Sequence, residues 1–221
     1  MHYALLAELL GADTLCLGNE RDGAARTLPP GDAFDGTDRE LAAEQERRRL
    51  LQDAWLALIE RMRGAFSGLL TYAAAPSREI EEVGFWPQLD LVGVDFFPKL
   101  PHPAGASSER NARAALRTQL ARCVDVARVA ERPLLLVQTG FPSHARAAQR
   151  ATVPQGPVDV DAQLRLLTLL DEALDELRET AALAGLYLWS WNPDPRAGGA
   201  QHSGYTPQGK PAEAALPGLF E

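Results

Sequence analysis

The amino-acid sequence predicts an α/β protein built on a parallel sheet, and two observations carry that prediction. Short apolar runs alternate along the chain with longer stretches whose apolar residues recur every three or four positions. Strand alternating with helix makes a parallel sheet. Polar and aromatic residues also gather at the C-terminal ends of the apolar runs, where parallel α/β proteins hold their ligands. Two architectures share these features, an open doubly wound sheet and part of a (β/α)8 barrel.

The elements follow in order. Residues 3–10 read as a helix stopped by Gly11, glycine being the usual helix terminator. Thr14 to Leu17 read as a strand that ends in Gly18-Asn19-Glu20, followed by a polar loop from Arg21 to Thr37. A long helix covers 38–64, with Leu51, Trp55, Leu58, Ile59 and Met62 on one face. Its Glu/Arg-rich start, 38–50, reads as a solvated face with i,i+4 pairs, and Trp55 and Trp86 read as packing residues. Leu69 to Ala73 form the second strand, 79–86 a short helix, and Leu89 to Phe97 the third strand. After the loop KLPHPAGASS comes a helix over 109–130, with Leu116, Leu120, Cys123 and Ala127 in step. Pro133 to Gln138 is the fourth strand, and a long loop runs over 139–160. A helix over 161–184 ends at Gly185, Leu186 to Trp191 is the fifth strand, and a short helix near 211–216 closes the chain. No composition shift divides residues 1–221 into domains.

The bulk numbers exclude some classes of function. The 221 residues are 46% hydrophobic and 24% charged, and the net charge is −8. Nucleic-acid binding needs a basic stripe to displace counterions, so this balance argues against it and fits a neutral ligand. Cys16 and Cys123 are too few for a disulfide framework and read as buried thiols. The start, MHYALLAELLGAD, has neither the basic region of a signal peptide nor a membrane-length apolar span. If Met1 is the genuine start, the chain is expected in the cytoplasm; otherwise its compartment is unspecified.

The strand ends carry the candidate chemistry. Asn19 and Glu20 end the first strand, Tyr72 lies late in the second and Asp95 in the third, Gln138 ends the fourth, and Trp189 and Trp191 share one face of the fifth by period two. His2, His102, His144 and His202 are scattered without ligand spacing, so no metal site and no cofactor is expected. Ser143-His144 lacks a nucleophile elbow. The run from Gly204 to Lys210 mimics a phosphate-binding loop, but Pro211 stands where Ser or Thr is needed and no strand leads into it.

The ordered set GADTLCLGNE, WLALIERMR, LLTYAAA, FWPQLDLVGVDFF, RPLLLVQTGFPS and GLYLWSW, with the tail SGYTPQGKPAE, resembles the β-mannanases of glycoside hydrolase family 113. That resemblance implies a retaining (β/α)8-barrel fold and an oligosaccharide or polysaccharide partner of the β-mannan kind. By motif, Glu20 corresponds to the acid/base, Asn19 to the residue holding the sugar 2-hydroxyl, and Trp189 or Trp191 to the aromatic floor. Tyr72 and Asp95 join them as candidate sugar contacts.

The same pattern implies two departures. The family's nucleophile position carries Gln138, which cannot ionise. Phe97 stands where a supporting Tyr is expected, and Ala75 where an Asn is expected. A retaining glycosidase needs two carboxyl groups, so the rate is expected to fall by several orders of magnitude. Taking LYLWSW as strand eight makes TLCLGNE strand four. The chain then reads as a partial (β/α)8 barrel, strands four to eight, truncated at its N-terminus. Two open sheet edges call for a missing N-terminal half or a second copy.

Overall fold

The computed structural model describes residues 1–31, 34–101, 106–180 and 182–220; parts of both predicted loops, including His102, and the residue Ala181 in the predicted 161–184 helix lie outside the described residues. The elements run α1 (His2–Leu9), β1 (Thr14–Asn19), α2 (Asp22–Ala25), α3 (Asp38–Arg63), β2 (Leu69–Ala74), α4 (Arg78–Glu82), β3 (Val92–Phe96), α5 (Ala106–Ala130), β4 (Leu134–Thr139), α6 (Val160–Glu179), β5 (Leu183–Leu188) and α7 (Leu216–Phe220). The five strands form one sheet in the order β1-β2-β3-β4-β5, and β1 and β3 both pair parallel to β2. Sequential order with a crossover between strands is the pattern of a βα-barrel wall. No described helix is long and apolar enough to cross a membrane.

The chain forms two compact units, Met1–Val94 with Asp125–Leu134, and Asp95–Val124 with Leu135–Glu221. The division runs through β3 and β4, not through a linker.

In the first unit, α3 starts at a capping box. The Thr37 side chain accepts from the Glu40 amide, and Glu40 reaches back to the Thr37 amide. Its inner face buries Trp55, Ile59 and Met62. Trp55 stacks on Phe85 at 4.5 Å between ring centres, and Tyr72 of β2 meets both rings edge-on at 5.3 and 5.6 Å. Gly18 makes room for this cluster: a β-carbon there would stand 3.2 Å from the Tyr72 ring and 3.4 Å from Trp55. Trp86 is buried as well, so both tryptophans pack as expected. Asp90, just ahead of β3, accepts the Leu70 amide at 2.7 Å and pairs with Arg63.

In the second unit, α6 is capped by Asp159, which accepts the Ala162 amide. It buries Leu166, Leu167, Leu170 and Leu174, while α5 buries Leu116, Leu120 and Cys123. Leu134 and Leu136 of β4 are fully buried.

Four expectations are corrected. Cys16 is exposed, because β1 is an edge strand covered from one side only; Cys123 is buried as expected. Arg48, assigned to a solvated helix face, is 6% exposed. It bonds Glu44 at 2.6 Å, Glu82 at 2.8 Å and the Leu28 carbonyl at 2.8 Å, a pairing across elements that helix periodicity does not encode. The fifth strand spans Leu183–Leu188 rather than 186–191, so Gly185 lies within it and α6 stops at Glu179. The apolar run through residues 177–188 blurs that boundary, since both periods fit it. The third strand is shorter than the apolar run, starting at Val92.

Arg48→Ala is expected to destabilise the protein by about 3 kcal/mol, since it strips a buried guanidinium from two carboxylates and a carbonyl. Arg49→Ala, which removes only exposed pairs to Glu46 and Asp53, is expected to leave stability unchanged. Urea unfolding of the two variants measures the contrast.

Candidate active site

At the end of β1 the ladder breaks. Cys16 is in register with Thr71 and Asn19 with Ala73, so β1 spends one residue more than β2 over this stretch. Such a bulge bends a strand and redirects the side chains that follow. Beyond it Glu20 takes a left-handed backbone, φ 44°, a conformation that costs a non-glycine residue on the order of 1 kcal/mol. Two hydrogen bonds hold it. The Glu20 amide donates to the Ala73 carbonyl at 2.8 Å, and the Arg21 amide donates to the Tyr72 hydroxyl at 2.6 Å. The side chains of Asn19 and Glu20 are exposed.

Tyr72 is a correction. Expected as a sugar contact, it is fully buried, on the side of β2 that meets Trp55. Its hydroxyl donates to the Glu79 carboxylate. Burial first, and then this bond to Glu79, push its pKa far above the ordinary tyrosine range, so the phenol remains a donor. Glu79 is itself 0% exposed and also accepts the Ala75 amide at 2.8 Å. Sequence reasoning missed Glu79, since a glutamate within REIEE carries no signal that separates it from a solvated helix residue.

In the second unit the ends of β3, β4 and β5 lie side by side. The Thr139 hydroxyl donates to the Phe96 carbonyl at 2.9 Å, and the Trp189 amide donates to the Thr139 carbonyl at 2.7 Å. Gly140 permits this approach, because a β-carbon there would fall 2.2 Å from the Trp189 carbonyl oxygen. Gln138 is half-buried in β4. Asp95 is 2% exposed and offers almost no surface to a ligand. Trp189 and Trp191 are 46% and 54% exposed and lie past the end of β5, in the following turn and not on the strand face where period two placed them. Phe97 meets Tyr205 edge-on at 5.9 Å.

The closing segment braces these loops. The buried Gln208 side chain accepts from the Asn192 amide at 2.7 Å and from Thr206 at 2.6 Å, fixing the residue after Trp191. Lys210 is buried, and its ammonium donates to Ser143 at 2.7 Å and to the Gly204 carbonyl at 3.0 Å. It also lies 3.4 Å from His202 Nδ1. Lys210 is thus tied into protein rather than open to phosphate. Ser143 faces Lys210 while the His144 ring bonds the Val153 carbonyl and the Arg146 amide, so the adjacent pair forms no nucleophile and base. Among the described residues, no group of His, Cys, Asp and Glu gathers as metal ligands.

The fold is that of part of a βα barrel, and comparison with known proteins gives its family. The sequence pattern of glycoside hydrolase family 113 matches residues 37–210. The chain belongs to glycoside hydrolase family 113. Among solved structures it is similar to a family 113 β-1,4-mannanase, at 22% identity and TM-score 0.69, over 97% of this chain and 58% of that one. It is also similar to the β-mannanase AaManA from Alicyclobacillus acidocaldarius in complex with ManMIm, at 24% identity and TM-score 0.67, over 97% and 57%. A β-glucuronidase from Ruminococcus gnavus matches at 14% identity and TM-score 0.52, over 76% and 29%. The chain therefore spans under two thirds of the length of the mannanases it matches, and its five strands are part of their barrel fold. No curated protein matches the sequence.

Burial pushes the Lys210 ammonium from its ordinary 10.5 down to about 8. Between those values the unfolded chain holds a proton that the folded chain has released, so stability rises with pH across the window. Below about pH 8 both states are charged and the folded state bears the full penalty of the buried ammonium. Lys210→Met is expected to lose this rise, measured as the difference in unfolding free energy between pH 8 and 10.5.

Proposed function

We propose that this chain is a β-mannan-type carbohydrate-binding member of the family, descended from retaining hydrolases and impaired in hydrolysis. The observation that carries the reading is Gln138, half-buried at the end of β4, where the family pattern calls for the nucleophilic carboxylate. Retaining hydrolysis needs one carboxyl group to protonate the glycosidic oxygen and a second to attack the anomeric carbon. Glu20, exposed beyond β1, fits the first role. The amide of Gln138 cannot form the glycosyl ester, nor can it offer a full negative charge to an oxocarbenium-like transition state.

The exposed indoles of Trp189 and Trp191 fit stacking against the apolar face of a sugar. Asn19, beside Glu20, fits a contact to the 2-hydroxyl. A mannanase of the family is known in complex with ManMIm, which supports a manno-configured ligand. These features also favour the second reading, a carbohydrate-binding protein without catalysis.

Gln138→Glu is expected to raise hydrolysis of an activated aryl β-mannoside by on the order of 10³-fold or more, the scale on which catalytic carboxylates act. Equal rates for the wild-type chain and the variant would contradict the assignment of Gln138 to the nucleophile position.

A further inference from the structure

Beneath the exposed Glu20 lies a chain of hydrogen bonds that ends in a fully buried carboxylate. Glu79 accepts from the Tyr72 hydroxyl through one oxygen and from the Ala75 amide through the other. Tyr72 in turn accepts the Arg21 amide at 2.6 Å. The next amide back along the chain, that of Glu20, is held at 2.8 Å by Ala73. Glu20 itself sits in the left-handed region, which a glutamate does not keep unless its neighbours enforce it. Hydrogen bonds to an ionised acceptor are about twice as strong as neutral ones. A phenol that donates to a carboxylate is also polarised into a better acceptor for the amide behind it.

The surroundings show that this arrangement is more than packing. The Tyr72 ring could be held by Trp55 and Phe85 alone. Its hydroxyl needs a partner because it is buried, and a backbone carbonyl would serve. The partner is instead a carboxylate taken out of water, and burying a carboxylate is costly unless several donors meet it. Glu79 meets that demand with donors from β2 and from the residue just after it. Its carboxylate thus joins the end of β2 to the turn that follows β1.

We propose that Tyr72 and Glu79 are positioning residues that fix the Glu20–Arg21 backbone and thereby aim the Glu20 carboxyl group. The catalytic consequence rests on the reading of Glu20 as the acid/base. Neither residue touches substrate, and both act through the Arg21 amide. A misaimed acid fails most where the leaving group cannot depart without a proton. Fold damage alone lowers the rate on every substrate together.

The experiment has two arms. In the Gln138→Glu background, Tyr72→Phe keeps the ring and removes the hydroxyl. The rate on a phenyl β-mannoside, which needs a proton, is expected to fall about tenfold or more relative to that on a 2,4-dinitrophenyl β-mannoside, which does not. Glu79→Ala should reproduce the change, and Glu79→Gln, which keeps a hydrogen-bonding partner of the same size, should recover part of it. An unchanged ratio of the two rates overturns the catalytic claim.

The second arm uses the chain with Gln138 in place and reads amide hydrogen exchange. In Tyr72→Phe the Arg21 amide is expected to exchange about fivefold faster or more. The Leu70 amide, held by Asp90 in the same unit, should be unaffected. Unchanged exchange at Arg21 overturns the positioning claim itself. If Gln138→Glu hydrolyses neither substrate, the reading of Glu20 and Gln138 as a catalytic pair is what fails, and the exchange arm still decides whether Tyr72 and Glu79 hold the turn.

Discussion

Parallel pairing is the constraint on which the rest of this structure depends. When neighbouring strands run the same way, the chain leaves every strand at the same edge of the sheet and must return through a helix. Residues that end β1 and β2 therefore come next to one another, as do those that end β3, β4 and β5. The bulge before Asn19 and the bond from Trp189 to Thr139 are local adjustments of that ladder. The bulge takes the side chains that follow it out of the regular up-and-down alternation, and the bond ties the turn after β5 to β4.

Support for the strand ends comes from beneath, in polar groups withdrawn from water. Glu79 and Tyr72 lie under the turn at Glu20. Gln208 and Lys210 lie under the loops that follow β4 and β5. In each case a buried side chain with several hydrogen-bonding atoms replaces what water would supply to irregular backbone. The family resemblance draws attention to the exposed residues, Glu20, Asn19 and the two tryptophans. The structure shows buried polar side chains tied to the backbone beside those exposed residues.

How much was legible in the sequence follows from this division. The helices α3, α5 and α6 were readable because apolar spacing sustained over many turns has one interpretation. β2 and β4 were readable because they are short apolar runs flanked by turn residues. The start of β5 was not, since the apolar run through residues 177–188 satisfies helix and strand periods alike. Motif order singles out Glu20 and Gln138, and the structure puts each beside a strand end, Glu20 just past β1 and Gln138 next to last in β4. Tyr72 was misplaced because lying late in a strand does not say which face a side chain takes. Glu79 and Arg48 left no mark at all. Arg48 is buried through a partner 34 residues along the chain, Glu82, and Glu79 through a turn back onto Tyr72 and Ala75; a charged residue on a helix reads as solvated until its partner is seen.

Calorimetric titration of the unmodified chain with a mannooligosaccharide tests the proposed sugar recognition and the proposed loss of the nucleophile in one measurement. The predicted result is a saturable heat of binding after each injection, followed by return to baseline with no sustained heat of hydrolysis. Sustained turnover heat would show that another group supplies the missing carboxylate, and the absence of any binding heat from folded protein would contradict the carbohydrate reading.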